Sequence, residues 1–381
     1  MNTEKLFYRD AYMCRFEATV LSCEEAKNGW AVVLDATAFF PEEGGQTADT
    51  GTLGPVRVLD VKEKAGVVTH YTDGPLPVGE TVAGEIEWAE RFRKMQTHTG
   101  EHIVSGIVHE KYGYENVGFH LGENGCTFDF SGELTREQID EIEALANAAI
   151  WRNVPVTARF PDSEELRAMS YRSKLDLTEN VRIVTVEGVD TCACCAPHVA
   201  TTGQIGMIKL LDFMRHRGGV RIWCKCGSDA LADYHARYNA SAAVSALLNT
   251  PQENITAGVE KLIDQRDELK AEFTALKKQV LEARAAALEP VDGNMLLFAR
   301  EDDAGMRILV NAGMEKCGGV CAVFSGEDGA WQFVMGSRTT DMRAFMKEHG
   351  PVLKARGGGQ PQMVSGRSQA TKTELEDFFN K

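Results

Sequence analysis

Hydrophobic and polar positions alternate in short runs along the first 88 or so residues. The runs "FEATVLSCE", "GWAVVLDATAF", "GPVRVLDVKEKAGVVTHYT" and "GETVAGEIE" are separated by segments that carry Gly, Pro or Asn. This pattern predicts β-strands joined by turns. Because closely spaced short strands are typical of small barrels, residues 1–88 are predicted to form a β-barrel domain.

The pattern becomes helical from about Trp88 to Tyr112, with His98 and His102 four residues apart on one face. A strand pair is predicted around "NVGFHLGENGCTFDFSG". The next segment, "TREQIDEIEALANAAIWRN", predicts an amphipathic helix, in which Thr135 and Gln138 form a capping box.

Four further segments predict strands of a mixed sheet: "VPVTARF", "VRIVTVEG", "TGQIGMIKLLDF" and "GGVRIWCKC". Residues 89–228 are therefore predicted to form an α+β domain, and α+β is the fold class predicted for the chain.

Residues 229–290 are predicted to form a helical hairpin or coiled-coil linker. A three-four rhythm of apolar residues runs through the second half of this segment, at Val259, Leu262, Leu269, Phe273, Leu276 and Val280. Such a seam suits a homodimer through the 255–288 helix, whereas a long core helix would explain the same rhythm. Strand-like and helix-like segments then alternate over residues 291–381, which predicts a C-terminal α/β domain that offers a second route to a homodimer.

Composition indicates a globular protein and argues against secreted and membrane-spanning classes. The 381 residues include 43% hydrophobic and 25% charged residues, which is ordinary for a globular protein. The first residues do not read as a signal peptide, and no run approaches the roughly 20 apolar residues of a membrane span. We therefore expect a cytoplasmic protein without a membrane partner, whose ten cysteines are reduced.

The net charge of -15 argues against a protein that coats nucleic acid by bulk electrostatics. Two segments are nevertheless basic, Gly206 to Cys226 and Arg338 to Lys372. Together they would suit one polyanion, although ordinary solvated faces would give the same composition.

The two helical histidines have plausible metal-binding partners about ninety residues downstream. Cys194 and His198 are four apart in "GVDTCACCAPHVATTGQIG". Two histidines with a Cys/His pair make a nitrogen and sulfur ligand set that suits one Zn²⁺ per chain.

The helix also contains H-x-x-E-H, the signature of inverted zincin metallopeptidases, in which Glu101 would be the base. That class needs a carboxylate ligand from a later segment, and Glu179 and Glu187 are the available residues. A quartet of three histidines and a cysteine would fill a tetrahedron without either carboxylate. Glu101 is therefore expected at the surface or behind the ligands.

With these motifs the chain resembles a known family, the freestanding alanyl-tRNA editing proteins in their long form. These proteins are homologous to the editing and C-terminal domains of alanyl-tRNA synthetase. That family pairs an H-x-x-x-H helix with a later C-x-x-x-H. The stretch "DATAFFPEEGGQTADTG" resembles the family pattern D-x-T-x-F-Y-P-x-G-G-G-Q, with matches at Thr37, Gly44, Gly45 and Gln46. "GGVRI" looks like the closing strand of the editing domain, and "RGGGQPQMVSGRS" is similar to the synthetase's glycine-rich end, a domain related to one that accompanies DHH phosphoesterases.

The resemblance implies a zinc-dependent deacylase that hydrolyses mischarged Ser-tRNA(Ala), with Gly-tRNA(Ala) as a further candidate substrate. The resemblance implies a protein that removes wrongly attached amino acids from tRNA and does not attach amino acids, because the freestanding members of the family lack the aminoacylation domain. Zinc would either activate water and ester or only position the substrate. The open alternatives are a zinc metallopeptidase and a tRNA-binding protein without catalysis.

The resemblance also implies roles for individual residues. Thr37 would contact the serine hydroxyl, and Gln46 the ester or the terminal adenosine, so these two are the predicted catalytic residues. In place of the family's Gly-Gly-Thr this chain has Cys195, Ala196 and Pro197 between the last two ligands, and Cys195 adds a thiol that would compete for the metal. The predicted substrate-binding residues are Gly44, Gly45, His120, Arg221, Arg356, Gly357, Gly358 and Gly359.

Overall fold

A computed structural model describes residues 2–27, 29–122, 125–173 and 180–380. The chain divides into two compact units, Met1–Ala242 and Ala243–Lys381. Both units combine helices with strands, so the α+β class is confirmed, while the finer four-domain division stays a prediction. None of the helices within the described residues is long and apolar enough to cross a membrane.

A six-stranded closed barrel opens the first unit, with strand order β2-β3-β7-β6-β5-β8. Its interior is filled by side chains at alternating positions along the strands, among them Val32, Leu34 and Val61. The short strands β1 and β4 pair with each other in parallel at its side. The strands are β1 (Glu4–Lys5), β2 (Arg15–Ala26), β3 (Gly29–Leu34), β4 (Ala36–Thr37), β5 (Gly51–Leu53), β6 (Val56–Lys64), β7 (Val67–Thr72) and β8 (Thr81–Ile86).

Helix α1 (Trp88–Tyr112) follows the barrel and has the predicted bounds. A buried ion pair joins the two, because the Arg91 guanidinium bonds Asp49 and also donates to the backbone carbonyls of Ala11 and Ala38. The strands β9 (Asn116–Gly122) and β10 (Gly125–Phe130) come next, and then helix α2 (Arg136–Trp151), whose predicted capping box is confirmed.

The remaining strands of this unit form two antiparallel sheets, so the expected single mixed sheet is wrong. One sheet has the order β11-β12-β13 and the other β14-β15-β10-β9. Tight turns at Gly188 and Gly218, both with positive φ, fold each chain segment back on itself, which imposes antiparallel pairing. The elements are β11 (Val156–Arg159), α3 (Ser163–Ala168), β12 (Ile183–Val186), β13 (Asp190–Ala193), β14 (Ile208–His216) and β15 (Gly219–Cys226).

Two long helices follow, α4 (Gly227–Leu248) and α5 (Ile255–Ala286), joined by a short 3-10 turn. Helix α5 buries only Leu281 and Ala285, near its end. The alternative of a core helix is therefore wrong for most of its length, because Leu269 and Phe273 on the apolar seam are 65% and 69% exposed.

The second unit contains a five-stranded sheet with the order β16-β17-β18-β20-β19. Separate apolar clusters cover its two faces, one with helix α6 and the other with α8. The glycine-rich tail is a hairpin of two strands here. The elements are β16 (Met295–Phe298), α6 (Asp303–Met314), β17 (Val320–Ser325), β18 (Trp331–Ser337), α7 (Met342–His349), β19 (Ala355–Gln360), β20 (Met363–Ser368) and α8 (Lys372–Phe379).

Candidate metal centre and active site

Helix α1 carries the first half of the candidate site in its most buried part. His98 and His102 lie one turn apart, and both are almost fully buried. Gly106 lets the helix approach the turn before β13, because a Cβ there would lie 2.5 Å from the Val189 carbonyl oxygen. This close approach brings the face with His102 against β13.

Strand β13 and the loop after it supply the second half. The Cys194 Sγ lies 3.5 Å from His98 Nε2 and 3.3 Å from His198 Nε2. The ring centroid of His198 is 4.6 Å from that of His102. One ligand atom from each of the four predicted residues lies within 4.8 Å of the others, so the structure brings the whole quartet together.

Each histidine of the quartet is oriented by an outer partner at Nδ1. His98 bonds Gln46 Oε1 at 2.9 Å, and His102 bonds Asp190 Oδ2 at 3.0 Å. His198 bonds the Thr99 hydroxyl oxygen at 3.0 Å, because that hydroxyl donates its own proton to the Met95 carbonyl. With Nδ1 used in this way, all three rings turn Nε2 toward the centre, which is the usual design around a metal.

Asp190 is itself fixed by a second residue. Arg172 donates to both of its carboxylate oxygens, at 2.7 and 2.8 Å. Burial opposes ionisation of Asp190, but His102 and Arg172 lower the pKa of this carboxyl below its usual value. The chain Arg172–Asp190–His102 therefore holds an ionised acceptor behind one ligand of the quartet.

Electrostatics place two members of the quartet, Cys194 and His198, in forms that bind a metal ion. Although burial raises it, the neighbouring imidazoles, His98 first, hold the pKa of the Cys194 thiol well below its usual range. Burial lowers the pKa of His198 to about 3, so this ring is neutral at physiological pH. A thiolate and a neutral imidazole are the forms that bind a metal ion.

The donor set and its spacing fit Zn²⁺. Metal–ligand distances of about 2.0 to 2.3 Å place the corners of a tetrahedral site about 3.3 to 3.7 Å apart. The two measured contacts of Cys194 Sγ, 3.3 and 3.5 Å, match such edges. Three imidazoles with one thiolate are also a combination of ligands that zinc accepts.

A cavity of about 390 Å³ opens beside the quartet. Its wall includes His98, His102 and Cys194 together with the aromatic rings of Tyr8, Phe119 and Phe160 and the charged residues Glu43, Glu101, Arg172 and Arg182. A volume of this size accommodates an amino acid and part of a nucleoside.

Two families of known proteins match segments of the chain. Residues 4–90 match the family described as tRNA synthetases class II (A). Residues 181–222 match the family described as threonyl and alanyl tRNA synthetase second additional domain. The second segment contains Cys194 and His198, and the first contains Gln46 behind His98.

Longer relatives extend this similarity over most of the chain. The alanine-tRNA ligase of Halorubrum lacusprofundi is 34% identical over 354 residues, which cover 88% of this chain and 38% of the ligase. The alanyl-tRNA editing protein Aarsd1 of Rattus norvegicus is 27% identical over 394 residues, which cover 97% of this chain and 94% of that protein. The chain is a homologue of alanyl-tRNA synthetases and of alanyl-tRNA editing proteins.

The resemblance that the motifs indicated is thus confirmed. The chain spans 38% of the length of the first ligase relatives, so the activity of a whole ligase does not follow from this homology. The C-Ala domain from Aquifex aeolicus alanyl-tRNA synthetase matches 24% of this chain and 93% of that domain, at 18% identity. Its TM-score of 0.21 is too low to inform the fold.

The two predicted catalytic residues, Thr37 and Gln46, belong to one motif but contact different parts of the first unit: Thr37 contacts the barrel and Gln46 contacts the quartet. Thr37 is fully buried, and its hydroxyl contacts His70 Nε2 at 2.8 Å and accepts from the Phe39 amide. Neither Thr37 nor Gln46 is among the described residues that line the cavity. Gln46 instead reaches the quartet, through His98, and its Nε2 is buried without a hydrogen-bond partner in the described structure.

The predicted glycines lie where this stretch turns into the site. Gly44 lines the cavity, and Gly45 has φ +83° with a hypothetical Cβ only 2.3 Å from the Phe119 carbonyl oxygen. Phe119 lies against the His98 ring, at a centroid distance of 4.7 Å. The next residue, His120, is exposed, because adjacent side chains of a strand point to opposite faces.

The basic segment from Gly206 to Cys226 is largely neutralised by carboxylates from other elements. Arg221, predicted to bind substrate, instead donates twice to Asp129, at 2.7 Å each. This supports the alternative of an ordinary solvated face. The other ion pairs of the segment are Lys209–Glu143, Arg215–Glu133 and Lys225–Asp233.

The predicted residues of the C-terminal tail lie together on the edge strand β19. Arg356, Gly357, Gly358 and Gly359 line a groove of about 540 Å³, with Arg343 and Lys347 of α7. Glycine is required at Gly357, because a Cβ there would lie 2.2 Å from the Ser365 carbonyl oxygen of β20.

Several residues of the site were not predicted from the sequence. Asp190 and Arg172 support the quartet, and Phe119 and Arg182 line the cavity. The even spacing of Asp190 and Cys194 was an available signal, since residues four apart in extended chain point to one face, although β13 itself ends at Ala193. Of the two places predicted for Glu101, the surface is wrong, because its carboxylate is buried and lines the cavity beside the quartet.

Proposed function

We propose that this chain is a trans-editing deacylase that hydrolyses the ester of mischarged tRNA(Ala), with serine as the amino acid it removes. Convergence of His98, His102, Cys194 and His198 beside a cavity is the observation that supports this most strongly. The homologous Aarsd1 is named an alanyl-tRNA editing protein and aligns over nearly the whole chain. Gly-tRNA(Ala) is the second substrate to test.

The quartet would hold one Zn²⁺, which when bound supplies a Lewis acid to polarise the ester or a fixed charge to place the substrate. With four protein donors for a tetrahedral ion, placing the substrate is the role we favour. The aromatic rings of Tyr8 and Phe160, which meet edge to face at 5.4 Å, offer an apolar wall for the terminal adenine.

Gln46 is the better supported of the two predicted catalytic residues. Its Nε2 donor is buried and unpaired within the described structure, and its Oε1 bonds His98, which does line the cavity. Leaving a buried donor unpaired costs free energy, which a carbonyl or hydroxyl oxygen brought to Nε2 on substrate binding would recover. Contact of Thr37 with the serine hydroxyl stays a prediction, since its oxygen is shared with His70 and the Phe39 amide. A site that hydrogen-bonds the serine hydroxyl would reject alanine by leaving a polar group unpaired.

The groove on β19 would contact the tRNA backbone. Arg356 lies directly opposite Arg367 of β20, and like charges in that register repel each other unless an anion lies between them. No carboxylate pairs with Arg356 or Lys347 among the residues that the structure describes. Phosphate oxygens are the chemically matched partner for such a pair.

Two further features complete the proposal. The exposed apolar seam of α5 would be covered in a homodimer, because a helix face with Leu269 and Phe273 in water is unfavourable. We propose a cytoplasmic location, because cytoplasmic translation supplies charged tRNA.

The deciding experiment incubates zinc-loaded protein with Ser-tRNA(Ala) and, in parallel, with Ala-tRNA(Ala). We expect the first ester to be hydrolysed and the second to be spared, with activity lost in His98→Ala. Intact Ser-tRNA(Ala) after long incubation would contradict the proposal.

The same preparations test the two alternatives. A metallopeptidase would cleave an unstructured polypeptide. Of the two carboxylates that it could use as a later ligand, Glu187 is exposed and Glu179 lies outside the described residues. A non-catalytic protein would bind tRNA with or without His98 and leave the ester intact.

A further inference from the structure

Glu101 is a buried carboxylate that faces the cavity beside the metal ligands. It lies on α1, one residue before His102, and it is 5% exposed. Its Oε2 is 3.9 Å from His102 Nε2, the atom that points to the centre of the quartet. Glu101 therefore presents a charge next to the place where the proposed substrate would react.

The orientation of this carboxylate is fixed from behind. Its Oε1 accepts a hydrogen bond from the Ser105 hydroxyl at 2.6 Å and another from the Asn116 amide. The Asn116 amide also donates to the Ser105 oxygen, and the Asn116 Oδ1 accepts from the Gly118 backbone amide at 3.1 Å. One carboxylate oxygen is thus held by a network of three residues, and the other is left for the cavity.

The other charges around the cavity have partners or are exposed. Arg172 is engaged by Asp190, and Arg182 donates to the carbonyls of Cys194 and Ala196. Glu43 is the other carboxylate of the lining and lies at the exposed rim. Among the described lining residues, Glu101 is therefore the buried anion that remains available to a cationic ligand group.

We infer that Glu101 binds the α-ammonium group of the aminoacyl ester, an inference that rests on the proposed deacylase function. The acyl part of an aminoacyl ester carries one formal positive charge, on the ammonium nitrogen attached to the α-carbon, two bonds from the carbonyl carbon. An ammonium offers three donors, and a preoriented carboxylate oxygen accepts one of them in a charge-assisted hydrogen bond. This contact fixes the ester carbonyl beside the quartet and disfavours acyl groups that lack the amine.

The test is a cycle of two changes, one in the protein and one in the substrate. Glu101→Gln keeps the shape and the bonds to Oε1 but removes the charge. Glyceroyl-tRNA(Ala), the ester of 2,3-dihydroxypropanoic acid, replaces the ammonium of serine by a hydroxyl of similar size. Hydrolysis is measured for the four combinations with enzyme in excess, and bound zinc is measured for both proteins.

We expect Glu101→Gln to retain its zinc and to hydrolyse Ser-tRNA(Ala) about 10- to 100-fold more slowly than the wild type. We expect the same substitution to change hydrolysis of the glyceroyl ester less than about threefold, because the lost partner is already absent. The two changes together should cost no more than the larger one alone.

Losses that multiply, or an equal loss on both esters, would overturn the inference and indicate a role in proton transfer or in support of the fold. If Glu101→Gln loses zinc, Ser105→Ala replaces it in the cycle, since this variant keeps the carboxylate but loosens it; the same non-additivity is required. A wild type that leaves Ser-tRNA(Ala) intact contradicts the proposed function itself, which separates the two failures.

Discussion

His102 Nδ1 lies 3.0 Å from Asp190 Oδ2, and Arg172 binds the same carboxylate at both oxygens. Asp190 thus fixes the ring of His102, a proposed zinc ligand, from the side opposite to the quartet. Removing the charge of Asp190 should weaken metal binding without removing a ligand.

We predict that Asp190→Asn lowers the affinity for zinc by about 10- to 100-fold. The dissociation constant is measured by competition with a chromogenic chelator. Asp140→Asn is the matched control, because Asp140 also pairs with an arginine, Arg136, but on the exposed surface of α2. Equal zinc affinity in Asp190→Asn and the wild type would contradict a role of Asp190 in metal binding.

The two adjacent cysteines should differ sharply in a zinc titration. Cys194→Ser should reduce bound zinc from about one ion per chain to well below half, because Sγ is the only sulfur in the quartet. Cys195→Ser should retain full occupancy, since burial and the neighbouring Cys194 raise the pKa of the Cys195 thiol and disfavour its ligand form. Elemental analysis of dialysed protein gives the ratio of zinc to chain, and zinc loss in Cys195→Ser would contradict the prediction by showing that this thiol helps to bind the metal.

The buried pair of Arg91 and Asp49 should dominate the stability of the junction between the barrel and α1. Asp49→Asn leaves the Arg91 charge uncompensated, so we expect the free energy of unfolding to fall by about 3 to 5 kcal/mol. Glu85→Gln serves as the control, because it breaks an exposed pair with Arg15 and should cost less than about 1 kcal/mol. Urea unfolding monitored by circular dichroism compares the variants, and similar losses in both would contradict the burial argument.

His70 should make the barrel sensitive to acid. Burial lowers the pKa of His70 from 6.5 to about 4 in the folded chain. As the pH falls from 6.5 to 4, the unfolded chain takes up a proton that the folded barrel resists, so stability is lost in this window and is constant below it. The expected loss is about 3 kcal/mol, from about 1.4 kcal/mol per pKa unit.

The variant His70→Gln lacks this titration and isolates its contribution. Its free energy of unfolding should rise relative to the wild type by about 3 kcal/mol between pH 7 and pH 4. A difference between the two proteins that stays constant with pH would show that His70 has an ordinary pKa.

The groove on β19 should contribute phosphate contacts. Arg356→Ala and Lys347→Ala are each expected to weaken tRNA binding and to reduce the slope of log affinity against log salt by about 1. Lys354→Ala is the control from the same region, because its ammonium already pairs with Glu374 at 2.6 Å. Binding is followed by fluorescence anisotropy at several salt concentrations, and an unchanged slope in both groove variants would exclude phosphate contacts there.

The sequence by itself determined the local elements and the four residues that we propose as zinc ligands. The capping box of Thr135 and Gln138 and the helix around His98 are set by side chains within one or two turns, so pattern and spacing predict them. The pairing of that helix with Cys194 and His198 followed from their ligand chemistry, because few residue types bind zinc.

Tertiary structure alone decided how each predicted residue is used. Thr37 and Gln46 are nine residues apart in one motif, yet the barrel buries the first against His70, while the turn at Gly45 carries the second to His98. Asp129, which neutralises Arg221, and Asp190, which holds His102, lie on other elements, far along the chain from their partners. Sequence spacing does not predict such hydrogen bonds, because they depend on distances in space. Burial of Glu101 has the same origin, because a helix face becomes a cavity wall only when other elements close around it.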